Sequence, residues 1–289
     1  MKIDYTINEI VPYINWIYFF HAWGTSKMPQ QGKEQLQAEA EARLSSFADR
    51  YQTHALFLLL DCYSDGDDIV VSGDGRIPCL RQQQQGSDYL CLAEFIRPLT
   101  SHLSPLTSDL SPLTSHFSPL TSHLSPLTSK IGIFATTVDM GMETDFNADP
   151  YEKMMMQLIA DRLAEATAER MHEEVRKRYW GYAPDENLSI SEMQMEHFQG
   201  IRPAVGYPVL PDTSLNFVLD SLLDMKQIGI RLTVSGAMKP HASVSGLMLA
   251  HPDARYFSIG KIGEDQLSDY ARRRGLPREQ MRKYLAGNL

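Results

Sequence analysis

The sequence predicts an α+β fold built on a mainly antiparallel sheet. Two observations carry the expectation. Strand-like runs fall in neighbouring groups with helices between the groups, which favours segregated elements over an alternating βαβ succession. One long helix, opening at Asp149-Pro150, carries an unbroken apolar stripe and separates the two strand groups.

In chain order, residues 31–51 (QGKEQLQAEAEARLSSFADRY) read as an amphipathic helix. ALFLLLD (55–61) and DDIVVSG (67–73) read as strands joined by the turn formers Ser64, Asp65, Gly66 and Asp67. Gly73-Asp74-Gly75 reads as a hairpin turn; it lacks the strand-turn-helix order of a dinucleotide fingerprint, so the common nucleotide-binding methyltransferase architecture is not expected. IGIFATTV (131–138) is a further strand, and the long helix follows. A second helix covers SLNFVLDSLLDMKQIG (214–229). RLTVSG, SVSGLMLA and RYFSIGKI read as strands, and two helices close the chain.

In the long helix, Asp149 supplies an N-cap acceptor and Pro150 suits the first helical position. Arg176, Lys177 and Arg178 suit the negative end of the helix dipole. Met156, Ala160, Leu163, Ala164, Thr167, Met171 and Val175 recur at three- and four-residue spacing, the pattern of a buried stripe. A second column holds Asp161, Glu165, Glu169 and Glu173, each four residues after the last. Like charges so spaced cost roughly 0.2–0.5 kcal/mol per pair. The column is either a solvated acidic face or a set of acids turned toward a cation, and the spacing leaves both open.

In QGIRPAVGYPVLPD (199–212), Pro203, Pro208 and Pro211 restrict the backbone, while Gly206 permits a turn or a close approach. Proline removes ladder donors, so this is not a central strand but an extended loop with free backbone groups. Arg202 has the planar fork that matches a carboxylate, although an arginine capping a nearby helix has the same local signature.

Several motifs together carry a family resemblance: ADRLAEATAERMHEEVRKRYWGYAPDENLS and QGIRPAVGYP, then SVSGLMLAHPDARYFSIGKI, DQLSDYARRRG and the terminal LAGNL, with YINW (13–16) and LRQQ (80–83) near the start. The chain resembles the activation domain of cobalamin-dependent methionine synthase, which binds S-adenosylmethionine (AdoMet). The resemblance covers most of the sequence and fails across ~97–130. It implies one domain over 1–289, curved, with a central antiparallel sheet flanked by helices. It also implies site residues: Arg202 for the ligand carboxylate, Ala204 and Gly206 for backbone contacts, and Tyr207 near the methyl-transfer path. Glu165 and Glu196 are the acids of the ligand site, and Tyr256 and Phe257 an aromatic pair beside it. Asp161, one turn before Glu165, matches a residue that contacts the displaced cobalt-ligand histidine of the partner.

Some positions depart from the family. YIDW reads YINW, so Asn15 keeps an acceptor but lacks a carboxylate, a loss of about 1–2 kcal/mol for a charge-assisted contact. AMWPGASVSG reads AMKPHASVSG, with Lys239 and His241 in place of Trp and Gly, and Phe257 replaces a tyrosine.

The chain has no DxHxxG cobalamin motif and no cysteine set of the homocysteine-activating zinc type. The resemblance therefore implies cobalamin supplied by a partner: a cobalamin-binding methionine synthase lacking its own activation domain, reactivated with a flavodoxin-type reductant. Displacement at a sulfonium methyl needs no general acid or base, so the expected role of the residues is positioning and exclusion of water, with no catalytic residue and no metal. Two other readings stay open, a non-catalytic AdoMet-responsive module for a corrinoid protein and a decayed paralogue.

Composition sets outer bounds. At 289 residues the chain can bury a substantial core. A net charge of -9 without a basic cluster argues against nucleic-acid binding. Cys62, Cys79 and Cys91 include no CxxC spacing, and their odd number argues against a disulfide scaffold. The start, broken by Asp4 and Glu9, is not that of a signal peptide, and no apolar run of about 18 residues suggests a membrane span. A cytoplasmic location is the expectation. Residues 98–129 repeat PLTSHLS-like units; proline in each unit forbids a heptad helix, so a low-complexity loop is expected, and His102, His116 and His123 recur only because the unit does.

Overall fold

The computed structural model describes residues 1–25, 28–73, 75–98 and 129–289. Residues 99–128 of the expected repeat loop and the centre of the Gly73–Gly75 turn fall outside the described residues, while Ser129 is already part of a strand.

A six-stranded, wholly antiparallel sheet forms the centre. Its strands are β1 (Lys2–Thr6), β2 (Gln52–Asp65), β3 (Asp68–Val71), β4 (Gly75–Pro78) and β5 (Ser129–Val138), joined by β8 (Ser243–Met248). The order is β4-β3-β2-β5-β8, and β1 pairs with the first half of β2, from Gln52 to Leu56. Between β5 and β8 lie two short strands, β6 (Arg231–Leu232) and β7 (Met238–Lys239), which form a separate hairpin. IGIFATTV lacks the alternation of a half-exposed strand because β5 is covered on both faces. Phe134 and Val138 enter one core cluster, while Ile131, Ile133 and Ala135 enter the other.

The first face is covered by α1 (Ile7–Ile10), α2 (Trp16–Ala22), α3 (Gln30–Phe47), α4 (Gly141–Thr144) and above all α5 (Pro150–Glu174). Asp149 caps α5 through its carboxylate, which accepts from the Tyr151 and Glu152 amides at 2.8 and 2.9 Å. All seven residues of the predicted stripe, from Met156 to Val175, are buried. Each large apolar side chain among them contributes roughly 1.5–3 kcal/mol relative to exposure. The opposite face is covered by α7 (Leu215–Leu223), which follows the short α6 (Ile190–Gln194). The expected 214–229 helix is interrupted at Asp224, whose left-handed φ of 53° ends α7 before a short 3₁₀ turn. α8 (Glu264–Arg274) and α9 (Arg278–Tyr284) close the chain over a third, smaller core.

RYFSIGKI is not a strand. It takes backbone partners from two unrelated places. The Ile259 amide donates to the Pro208 carbonyl at 2.9 Å and that of Ile262 to Asn288 at 2.8 Å, so no ladder forms. All three cysteines are buried and free. Among the described residues, no helix is long and apolar enough to cross a membrane.

Candidate functional site

The segment carrying Arg202 lies along the outer edge of β8. The Ile201 amide donates to the Leu249 carbonyl at 2.9 Å and Leu249 returns the bond at 3.0 Å. The Leu247 amide then donates to Pro203 at 3.0 Å and the Val205 amide to Ser245 at 2.9 Å. Proline forfeits a single ladder bond at 203, which an edge position tolerates. This close approach depends on glycine: a Cβ on Gly246 would stand 2.2 Å from the Pro203 carbonyl oxygen and 2.9 Å from Ala204 Cα. Gly206, at φ 91°, then turns the chain away, its amide donating to Leu210 at 2.7 Å.

Edge pairing sends alternate residues outward, so the Arg202 backbone amide leaves the ladder and donates to the Tyr256 hydroxyl at 2.9 Å. Behind the loop, the end of α5 is fixed by a fully buried Arg176. Its guanidinium binds Glu186 at 2.6 and 2.9 Å, meets His172 Nδ1 at 2.9 Å and lies 4.2 Å over the Phe198 ring. Burial, reinforced by the charges of Arg176 and Arg202, holds the His172 pKa well below its usual value. The neutral ring can therefore accept from Arg176.

Between this edge and α5 opens a cavity of about 510 Å³, a small-molecule size. Eight of the nine residues expected to bind a ligand line it: Asn15, Glu165, Glu196, Arg202, Ala204, Tyr207, Tyr256 and Phe257. The ninth, Gly206, shapes the turn and does not line the wall. Residues from four distant stretches of chain thus converge on one space.

The acidic column of α5 is not a solvated face; each member meets a partner from elsewhere. Asp161 lies 3.6 Å from His241 Nδ1. Glu165 accepts from the Tyr207 hydroxyl at 2.7 Å. Glu169 is ion-paired with Arg202, and Glu173 accepts from the Tyr13 hydroxyl at 2.6 Å. The repulsion expected of the spacing is offset by these contacts. Arg202 is 9% exposed and stands above the Phe134 ring at 5.8 Å. Burial opposes its charge, but Glu169, Tyr256, Glu165 and Glu196 outweigh that penalty and raise its pKa.

Glu196 sits at φ 60°, in the left-handed region, a conformation costing a non-glycine residue on the order of 1 kcal/mol or more. Burial and the nearby Glu169 carboxylate raise its pKa. Burial raises the Tyr256 hydroxyl to about 12, and raises Tyr207 together with the Glu165 charge. Asn15 has a structural duty: its side-chain oxygen caps α2 by accepting from the Ile17 amide at 3.1 Å. Asp161 does not line the cavity; it lies one turn along α5, 29% exposed, with its pKa raised by burial.

A family model for the activation domain of vitamin B12-dependent methionine synthase matches residues 6–275. The chain belongs to that family. Among solved structures, the MetH reactivation domain bound to AdoHcy is 34% identical, with a TM-score of 0.85 over 100% of this chain and 90% of that one. The expected curled antiparallel sheet flanked by helices is therefore the fold of this activation-family chain.

The cavity residues that sequence reading omitted include three with charged or polar heads, Glu169, Arg162 and Tyr18. Glu169 carried a signal, its place four residues after Glu165 on the same helical face. Arg162 and Tyr18 carried none, because only the tertiary fold brings α2 beside α5.

Proposed function

We propose that this chain binds AdoMet in the cavity between α5 and the Arg202 loop, as an activation subunit for a separate cobalamin-dependent methionine synthase. The observation that carries the reading is the charge pattern of the wall. Three carboxylates (Glu165, Glu169 and Glu196) face two guanidinium groups (Arg162 and Arg202), one negative charge in excess. AdoMet has the complementary pattern: one carboxylate against an ammonium and a sulfonium. Arg202 offers a fork for the carboxylate, Ala204 offers backbone at the edge, and Gly206 sets the turn that follows it. Tyr207, 52% exposed, stands at the mouth beside the methyl-transfer path, and Tyr256 and Phe257 flank the ligand. The AdoHcy-bound relative supports a ligand of this class.

When bound, AdoMet would supply an activated methyl group for the cobalamin of the partner. The residues of this chain bind, orient and exclude water, and none acts as acid or base. Asp161, beside the cavity and accessible, meets the partner. The partner is a methionine synthase without its own activation domain, and the electron for reductive remethylation comes from a flavodoxin-type donor. In this reading residues 1–289 are one domain, with 98–129 inserted into it.

The test is reconstitution in trans. Inactive, oxidised synthase truncated after its cobalamin domain is mixed with this protein, AdoMet and reductant, and methylcobalamin is followed spectroscopically. Recovery should require both the protein and AdoMet, and Asp161→Ala should impair recovery while AdoMet binding persists. Recovery of the synthase without the protein refutes the activation role. Recovery that needs the protein but not AdoMet would favour a binding module.

A further inference from the structure

The Arg202–Glu169 ion pair holds two polar atoms that find no partner among the described residues. Arg202 Nε and Glu169 Oε2 are both shut off from solvent and both unbonded. The pair is joined by a single contact, Arg202 Nη2 to Glu169 Oε1, although a guanidinium and a carboxylate can make two. Both side chains line the cavity. One buried donor and one buried acceptor are therefore left over at the same spot, a costly arrangement for a site with no further use.

We infer that Glu169 is the acceptor for the ligand's α-ammonium group, an assignment that rests on the ligand proposed above. In the free protein Glu169 serves as counter-ion to Arg202. An entering α-amino acid group opens the pair, its carboxylate taking the guanidinium fork and its ammonium taking the Glu169 carboxylate. One ion pair is exchanged for two charge-assisted interactions, and the two leftover atoms gain partners.

Stereochemistry selects Glu169 over the other acids of the wall. The carboxylate and ammonium of an α-amino acid are carried on one carbon, so the protein groups that receive them must be neighbours. Glu169 is the carboxylate in direct contact with Arg202. Glu165 is engaged with the Tyr207 hydroxyl, and Glu196 makes no ion pair with Arg202 among the described residues. Glu173, one turn further, is held by Tyr13, Arg170 and Lys177.

The experiment is a cycle between protein and ligand, read by calorimetry on the full chain. The probes are AdoHcy and its analogue with hydrogen in place of the α-amine. Wild type should bind the analogue at least ~tenfold more weakly, the loss expected for one hydrogen bond to a charged group. Glu169→Gln should bind AdoHcy at least ~tenfold more weakly than wild type and discriminate poorly between the two probes. If Glu169→Gln weakens both probes by one factor, or wild type binds both equally, the assignment is overturned. Glu169→Asp, which keeps the charge with a shorter reach, is the second variant. Discrimination below that of wild type supports the assignment, and unchanged discrimination overturns it. Wild type failing to bind AdoHcy at all would remove the proposed ligand, whereas binding without amine discrimination removes the role of Glu169 alone.

Discussion

Arg202→Ala is the sharpest perturbation, because the structure confines its effect to the side chain. The backbone at this position is held by the Tyr256 hydroxyl at 2.9 Å and by ladder bonds on either side, from Ile201 to Leu249 and from Val205 to Ser245. None of these involves the guanidinium, so truncation should leave the loop in place. Two effects then separate. In the free protein Glu169 loses its ion-pair partner; breaking a fully buried pair costs about 3–5 kcal/mol. Glu169 keeps 22% of its side-chain surface, so water recovers part of that loss. A stability decrease of about 1–3 kcal/mol is expected, the penalty of an unsatisfied buried group. In the complex the carboxylate of AdoMet loses its fork, worth at least ~2 kcal/mol for one partner of a desolvated charge pair, or ~30-fold in Kd. Arg202→Lys should fall between, because a point charge cannot reproduce the paired geometry. Calorimetry with AdoMet and urea denaturation measure the two effects independently. Arg202→Ala binding AdoMet within about twofold of wild type would refute the carboxylate role of this residue.

Three further outcomes are expected. Gly246→Ala should push the Arg202 segment off β8, costing about 1–3 kcal/mol and most of the AdoMet affinity; a wild-type melting point and affinity would contradict the close approach. Deleting residues 104–125 should barely change the melting temperature, because closure entropy varies with the logarithm of loop length. The residues flanking the repeat meet, the Arg97 amide donating to Ser129 Oγ at 3.1 Å, so a large loss of stability would mean that the repeat packs as structure. Asp161 has a raised pKa, from burial opposed by His241 and Arg162 and aided by Glu143. Its contribution is therefore fully present below the usual Asp value of 3.8 and is lost as pH rises through the folded-state pKa. Asp161→Asn should accordingly melt higher than wild type at pH 7, with the gap closing toward pH 4; a gap that widens on acidification would reverse the sign.

Legibility in the sequence follows the range of the interaction that decides each feature. The α5 stripe from Met156 to Val175 is set by helical periodicity, a local property, and every position is buried as expected. The Asp149-Pro150 start and the Gly66-Asp67 turn are equally local, and they too are found. RYFSIGKI has the composition of a strand but joins no sheet. Its amides reach Pro208 and Asn288, and composition cannot register which edge is taken. The acidic column shows the same limit at the site. Four acids at four-residue spacing are indistinguishable in sequence, yet each acquires its character from a partner far along the chain: His241, Tyr207, Arg202 and Tyr13. Family motifs supplied eight residues of the cavity wall because they carry tertiary information that spacing lacks. They did not single out Glu169, whose importance lies in what its ion pair leaves unsatisfied. A half-used guanidinium beside a half-used carboxylate is visible only once the two side chains stand together in space. For that reason Glu169→Gln tests something that neither the motif nor the periodicity could have proposed.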